Sequence, residues 1–541
     1  MSVFANGLSD LPVLKAVESD VSAGRSPIML TGPGHIHKVL LAHALCARRR
    51  CRGLFLTADE AEATRVCEDL VALGNEALLL PARELSLHRA ESASREYEQM
   101  RLGVLSRMAR KHYDIVVASI DAVLAYTMPP NLLLGRTLHL AAGKPLPLSD
   151  LPAALSAAGY ERCAQVEGAG QFAVRGGIID IYPAQNASPL RIELWGDTVD
   201  TLSTFDVLSQ RRTDSLETVD IPPAAEVFYD SAELAARIEA LANSLSGKRA
   251  AAVRENLMQD VDRLRGGARP AAPDKYLPLI YEQKATVFDY ADGALVFVSE
   301  MQKVRDRIHS AEWQLQEDIK SLLEDHQLCR ELCRYQADFD DLTAVLTSRP
   351  TLLLETFARS SSELPLGGLY TVSCRQLPVW SGGLDLLCED LTDLLSRRMA
   401  CLVLAGSEER AAKALADDLV RRGIPAMFAP SPQKPLRGQV LVLQGGLSAG
   451  AEFPESGLAL LTHGRASAPR KRRRLNKQKG SEIHSLSELT PGDYIVHAAH
   501  GIGLYEGIRQ MEVQGVVKDY LKLQYDKGDT LYVPVTQLDL V

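Results

Sequence analysis

The sequence predicts a multidomain α/β protein. A largely parallel layer built on a degenerate P-loop is interrupted by a small inserted antiparallel-sheet domain, and is followed by a second α/β domain and a small SH3-like all-β barrel. Three observations predict this. A strand, a glycine-containing loop and a helix follow one another over residues 27–42, and short β-branched runs separated by helical patterns come after them. Residues 159–206 change to apolar/polar alternation broken by glycine turns. Residues 489–541 are again short alternating strands with Gly-rich corners.

Bulk properties bound the rest. A chain of 541 residues is too long for one core and suggests three to five domains. Apolar content of 46% and charged content of 24% are those of globular protein, and a formal charge of -9 argues against a chain built wholly to coat nucleic acid. No apolar run approaches membrane-spanning length, and MSVFANGLSDLP has neither the basic start nor the apolar centre of a signal peptide, so a cytoplasmic chain with no membrane partner is expected. The nine cysteines lack disulfide-framework or zinc spacing and are expected to be reduced thiols. Cys329 and Cys333 could share a helix face, and His497 and His500 lie close in sequence, but each pair is half a metal site at most, so no metal is expected.

Taken in order, Pro27–Thr31 is a strand, Gly32–His37 a loop and Lys38–Ala42 the start of a helix. In the pattern G-x-x-x-x-G-K-[ST], Gly32 and Lys38 match, whereas His37 replaces the second glycine and Val39 the magnesium-binding hydroxyl. A side chain at 37 obstructs the close backbone approach that cradles phosphates, and valine cannot ligate the ion. Neither nucleotide hydrolysis nor a bound cofactor is therefore expected of this chain. Gly53–Thr57 and Asp114–Ser119 are further strands of the layer, and residues 81–108 are polar, then helical.

In the insert, Phe172 and Val174 alternate with Ala173 and Arg175, Gly176-Gly177 breaks the run, and Ile179 and Ile181 alternate with Asp180 and Tyr182. Leu190, Ile192 and Leu194 continue the alternation, and Gly196-Asp197 turns the chain back through Val199. Two hairpins side by side result, with Arg175 on the polar side and Arg162 at the entry. A helix is predicted over Ala232–Leu245, a Gly/Pro/Ala-rich break over 266–276, and then a helix whose Ile308, Leu315, Ile319 and Leu322 form one buried face. Residues 350–462 alternate strands such as Thr351–Leu354, Cys401–Leu404 and Val440–Leu443 with helices such as Glu408–Arg421, without a defensible catalytic cluster. RASAPRKRRRLNKQKG, residues 465–480, reads as a basic flexible linker.

GYERCAQVEGAGQFAVRGGIIDIYP with LRIELWGDTVDTLSTFD, residues 159–206, resembles the small inserted domain shared by UvrB and the transcription-repair coupling factors. GDYIVHAAHGIGLYEG with KDYLKLQYDKGDTLYVPV resembles the CarD-related RNA-polymerase-interacting domain of the same factors. The resemblance implies a UvrB-like layer without a working ATP site, and a segment at 81–108 that lacks the DNA-gripping hairpin of UvrB. It implies UvrA binding through Arg162, Phe172 and Arg175, and binding of the RNA polymerase β subunit through Ile495, Val496 and Ala498. It divides the chain into a first UvrB-like part (1–125), the UvrA-binding insert (126–212), a second UvrB-like part (213–345), a spacer (350–462), the basic linker (463–485) and the CarD-like domain (486–541). Family members also carry motor domains that use ATP and magnesium to move on double-stranded DNA, and no motif of those domains occurs up to Val541. The expected role is an adaptor in transcription-coupled nucleotide excision repair. Its rivals are a DNA-dependent ATPase or helicase acting through the P-loop remnant and a DNA-binding protein acting through the basic linker.

Overall fold

A computed structural model describes residues 3–83, 85–87, 96–146, 151–183, 185–247, 250–270, 272–281, 283–358, 364–380, 383–430, 435–463, 494–497, 501–513, 516–524 and 530–534. The chain divides into two compact units, residues 1–466 and 467–541.

The first unit is built on a seven-stranded sheet in which every pairing is parallel. Its order is Gly368–Thr371, Ile28–Thr31, Thr351–Glu355, Leu295–Ser299, Gly53–Thr57, Ile115–Ser119 and Ala77–Leu80. The central strands are continuous apolar runs because both faces are covered. Leu54, Leu56, Val116, Val296 and Val298 face one core, and Ile28, Leu30, Phe55, Val117 and Phe297 the other. Thr351–Glu355, which sequence reading places in the spacer, lies in the middle of this first sheet and pairs with Ile28–Thr31 and Leu295–Ser299. Its local pattern marks it as a strand, but only long-range pairing decides its sheet. The helix Met301–Glu324 buries Val304, Ile308 and Leu322, with Leu315 and Ile319 packed half-buried against the same core.

The insert rises from a two-stranded root, Leu138–Ala141 against Thr218–Ile221. Its six-stranded sheet runs Arg212–Leu216, Thr198–Phe205, Leu190–Trp195, Ile178–Ile181, Gln171–Arg175 and Glu161–Arg162, antiparallel except for the last pair. The insert therefore extends past 212, to the end of its root at Ile221. At its other end, Tyr126, Met128 and Leu133 belong to the core of the parallel layer, not to the insert.

A second α/β layer begins at Arg375–Leu377 and contains Gly450–Phe453, Leu458–Thr462, Ala400–Leu404, Val440–Leu443 and Ala426–Phe428 in that order. It is not a detached spacer. Its Leu402, Leu443, Phe453 and Leu460 share one continuous core with the first sheet across the helix His35–Arg49. Every residue of that helix from Ile36 to Cys46 is consequently buried.

In the second unit, Tyr494–His497, Gly501–Val513, Val516–Gln524 and Thr530–Pro534 form a four-stranded antiparallel meander in chain order. Among the described residues the first and last strands do not pair, so those residues do not by themselves show the SH3-like barrel expected from the sequence.

Candidate functional site

The phosphate-loop position is shorter than the sequence suggests. The helix begins at His35, leaving only Gly32, Pro33 and Gly34 between strand and helix. Gly32 takes φ of 103°, and a Cβ there would stand 2.4 Å from the Val372 carbonyl oxygen. The incoming chain at 372–375 thus lies against the loop, with the Cys374 thiol donating to the Gly32 oxygen at 3.3 Å. His37 does not project into a phosphate cradle. It turns into the core, with Nε2 donating to the Arg375 carbonyl at 3.1 Å and its ring edge-on to Phe453. Burial pulls its pKa down to about 4, against the raising effect of the Arg375 bond, so it is neutral at neutral pH. Val39 is wholly buried.

Lys38, the residue that would reach a nucleotide, is tied down inside the protein. Its ammonium donates to Ser299 Oγ at 3.0 Å and to Glu300 Oε1 at 2.6 Å. Glu300 sits at left-handed φ of 55°, immediately after the central strand Leu295–Ser299, and also accepts from the Thr356 amide at 2.9 Å. Burial pushes this carboxyl up, but the Lys38 ammonium and Thr356 outweigh that and hold it at about 2. A protein carboxylate thus stands beside the lysine.

In the insert, Asp180 is 1% exposed and binds two arginines. Arg191 grips it bidentately at 2.7 and 2.9 Å and stacks over Phe205. Arg175 pairs with the same carboxylate while its own side chain stays about half exposed. The buried acid therefore presents one guanidinium at the surface in a fixed position. Register places Arg175 opposite Ile178 and Ile178 opposite Glu193, on one face of the sheet. Trp195, two residues along the same strand, shares that face and is 84% exposed at the hairpin end. A Cβ on Gly177 in the neighbouring turn would stand 3.1 Å from the Leu194 carbonyl oxygen, so a larger residue there would press on that strand.

The predicted contact residues do not form one patch. Phe172 is completely buried with Ile179, Ile181 and Ile192 and supports the sheet from within, so it is not a contact residue. Arg162 is exposed, but it pairs level with Phe172 and so has the opposite parity to Arg175. Trp195 was missed. Its signal was present in the sequence: an aromatic immediately before the Gly196-Asp197 turn, in phase with the polar residues Arg191 and Glu193.

Two family profiles match the chain, the UvrB interaction domain over residues 138–227 and the CarD-like/TRCF RID domain over residues 489–541. Beyond these segments, the transcription-repair-coupling factor of Bacillus subtilis (strain 168) is 31% identical over 545 residues, 97% of this chain and 46% of the relative. Over nearly its whole length the chain is similar to the transcription-repair-coupling factors. That of Staphylococcus aureus (strain MRSA252) is 25% identical over 538 residues, covering 96% of this chain and 45% of its own length. The chain thus spans a little under half the length of these relatives.

The first family match begins with the root strand Leu138–Ala141 and ends shortly after its partner Thr218–Ile221, so the matched segment is the structural insert. In the second, Tyr494–His497 is an outermost strand of the sheet. Ile495 is 3% exposed, so its side chain is a core group and only its backbone is available at the edge. Val496 contributes a backbone position in the same strand, and Ala498, the basic stretch 465–480 and His500 lie outside the described residues. Among the described residues no cluster of three or more metal-ligating side chains occurs, and no helix is long and apolar enough to cross a membrane.

Proposed function

We propose that the chain is the adaptor part of a transcription-coupled nucleotide excision repair factor. It binds UvrA through the insert and the RNA polymerase β subunit through residues 486–541, bringing excision repair to stalled polymerase on damaged double-stranded DNA in the cytoplasm. The observation that carries this reading is that one chain joins a UvrB interaction domain to a CarD-like/TRCF RID domain. The insert offers Arg175, Ile178, Glu193 and Trp195 on one face as its contact row, with Arg162 as a flanking charge. In the last unit, which is read as an SH3-like barrel, the outer side of Tyr494–His497, which pairs with no other strand among the described residues, offers backbone groups for sheet extension, with Val496 and Ala498 as contact positions.

The same reading makes residues 1–541 a non-hydrolysing segment that needs no cofactor. Lys38 is engaged by Glu300, and the loop lacks the glycine and hydroxyl of a working site. ATP- and magnesium-dependent movement on DNA is assigned to other segments of the family's longer chains. Co-precipitation of purified UvrA and β subunit by the full chain tests the proposal. Arg175→Glu is expected to remove UvrA and leave the β subunit bound. Retention of both by Arg175→Glu would move the UvrA contact off that residue, and capture of neither by the unaltered chain refutes the adaptor reading. DNA affinity that disappears on deleting 465–480 while neither protein binds would favour the linker as the working part.

A further inference from the structure

The helix His35–Arg49 ends in a tight reversal that brings two cysteines together. Arg50 adopts left-handed φ 51° and ψ 42°, and its amide bonds back to the Cys46 carbonyl. The Cys51 amide donates to that same oxygen at 3.2 Å. A helix end of this kind folds the residue after the left-handed position onto the last turn, so side chains five apart meet. A disulfide needs Cα atoms roughly 4.4–6.8 Å apart, a spacing that residues folded onto one helix end in this way can meet.

The surroundings add two constraints. A Cβ on Gly53 would stand 2.9 Å from Cys46 Sγ, so the glycine that opens the next strand leaves room for that sulfur and fixes where it lies. Both cysteines line one open cavity of about 1160 Å³, together with Arg50, Arg52 and Asp114. Cys46 is 5% exposed at its base, whereas Cys51 is only half-buried and meets solvent first.

We propose that Cys46 and Cys51 are a reversible dithiol–disulfide pair oxidised by hydroperoxides. Cys51 is the attacking thiol. The neighbouring Cys46 thiol pulls it down, burial opposes this, and Arg49 adds to the lowering, leaving it at about 7. Cys46 keeps its proton, held up by the same bond and by burial. Elsewhere burial pushes the thiols of Cys67, Cys329 and Cys401 up to about 12. In the first step the Cys51 thiolate attacks a peroxide oxygen. An S–O bond forms, the O–O bond breaks, and the leaving hydroxide or alkoxide takes a proton as water or alcohol. In the second, Cys46 attacks the Cys51 sulfur. The S–S bond forms, the S–O bond breaks, and water leaves with the Cys46 proton. Two electrons pass from the thiols to one peroxide, and a dithiol reductant reverses the change.

The test uses the full chain, reduced, exposed to a few equivalents of hydrogen peroxide, alkylated and digested with trypsin. Cleavage after Lys38, Arg48, Arg50 and Arg52 separates residues 39–48 from Cys51–Arg52, so only a disulfide can join them. The expected result is that linked pair, its disappearance on reduction, and loss of two of the nine thiols in the denatured protein. With Cys46→Ser, Cys51 should instead accumulate as a sulfenic acid captured by dimedone. In the unoxidised protein the alkylation rate of Cys51 should fall about tenfold from pH 8 to pH 6, as a pKa of about 7 requires. The proposal is overturned if peroxide leaves Cys46 and Cys51 both free, or links Cys329 to Cys333 first, in the unaltered chain, a readout that does not depend on any variant folding.

Discussion

Replacing Lys38 by alanine should loosen the protein rather than silence an enzyme. The Lys38 and Glu300 side chains are 4% and 10% exposed and joined at 2.6 Å, so the substitution leaves a carboxylate in the interior that keeps its bonds from Thr356 but loses its countercharge. Breaking one partner out of a buried pair costs about 3–5 kcal/mol, whereas replacing both by apolar groups costs much less. Lys38→Met with Glu300→Met should therefore recover most of the loss, with a coupling on the order of 2 kcal/mol. A protein of several domains does not unfold in one step, so hydrogen exchange at the amides of His35–Arg49 is the appropriate measurement. Those amides should exchange roughly a hundredfold faster or more in Lys38→Ala. The pH dependence has a defined sign. Glu300 is depressed in the fold, so its stabilisation is complete above the ordinary glutamate value of about 4.5 and is lost as pH falls through about 2. Magnesium-ATP should change neither exchange nor melting. If Lys38→Ala instead leaves exchange unaltered and abolishes measurable ATP turnover, the lysine serves a nucleotide and the argument from its partner fails.

Three further outcomes follow from named residues. His37 is neutral and held at about 4, so the unfolded chain takes up a proton that the fold refuses. Stability should be full above about pH 6.5 and fall by up to about 3 kcal/mol towards pH 4, a slope that His37→Phe removes in the intrinsic-rate-corrected hydrogen exchange of the His35–Arg49 amides at stepped pH. Trp195→Ala should weaken UvrA binding by about 2 kcal/mol in calorimetry while Trp195→Phe retains most affinity, as expected of an exposed aromatic beside a fixed arginine. Equal affinity for Trp195→Ala alongside loss in Arg175→Glu would remove only the tryptophan from the contact. Ala498→Arg should weaken binding of the RNA polymerase β subunit by about 2 kcal/mol or more, and unchanged affinity in a folded variant would move that contact off the Tyr494–His497 edge.

The features legible in the sequence are those whose signal is local. The insert could be read because alternation and glycine turns act within a few residues, and the Trp195–Gly196–Asp197–Thr198 turn closes where the glycine implies. The buried apolar strands of the parallel sheet were legible for the same reason. Alternation separates two faces without saying what covers each. Phe172 sits under Ile179 and Ile192, while Ala173 and Tyr182 pack with Phe205 on the other side, so in this small sheet both faces are partly core. Membership of a sheet is not local either. Thr351–Glu355 has the composition of any buried strand, and only its pairing with Ile28–Thr31, more than three hundred positions away in the chain, assigns it.

The phosphate loop is only partly legible for the same reason. The missing glycine and hydroxyl are visible at His37 and Val39, but Glu300 lies 262 residues from Lys38 and nothing near either announces the other. Nor does the sequence show that a second sheet covers the His35–Arg49 helix, turning His37 inward against Phe453. Once that helix is buried on all sides, an unpaired lysine in its first turn would be a costly charge, and the ion pair with Glu300 is what makes the position tolerable. Retention of Lys38 therefore has a structural reason that needs no nucleotide.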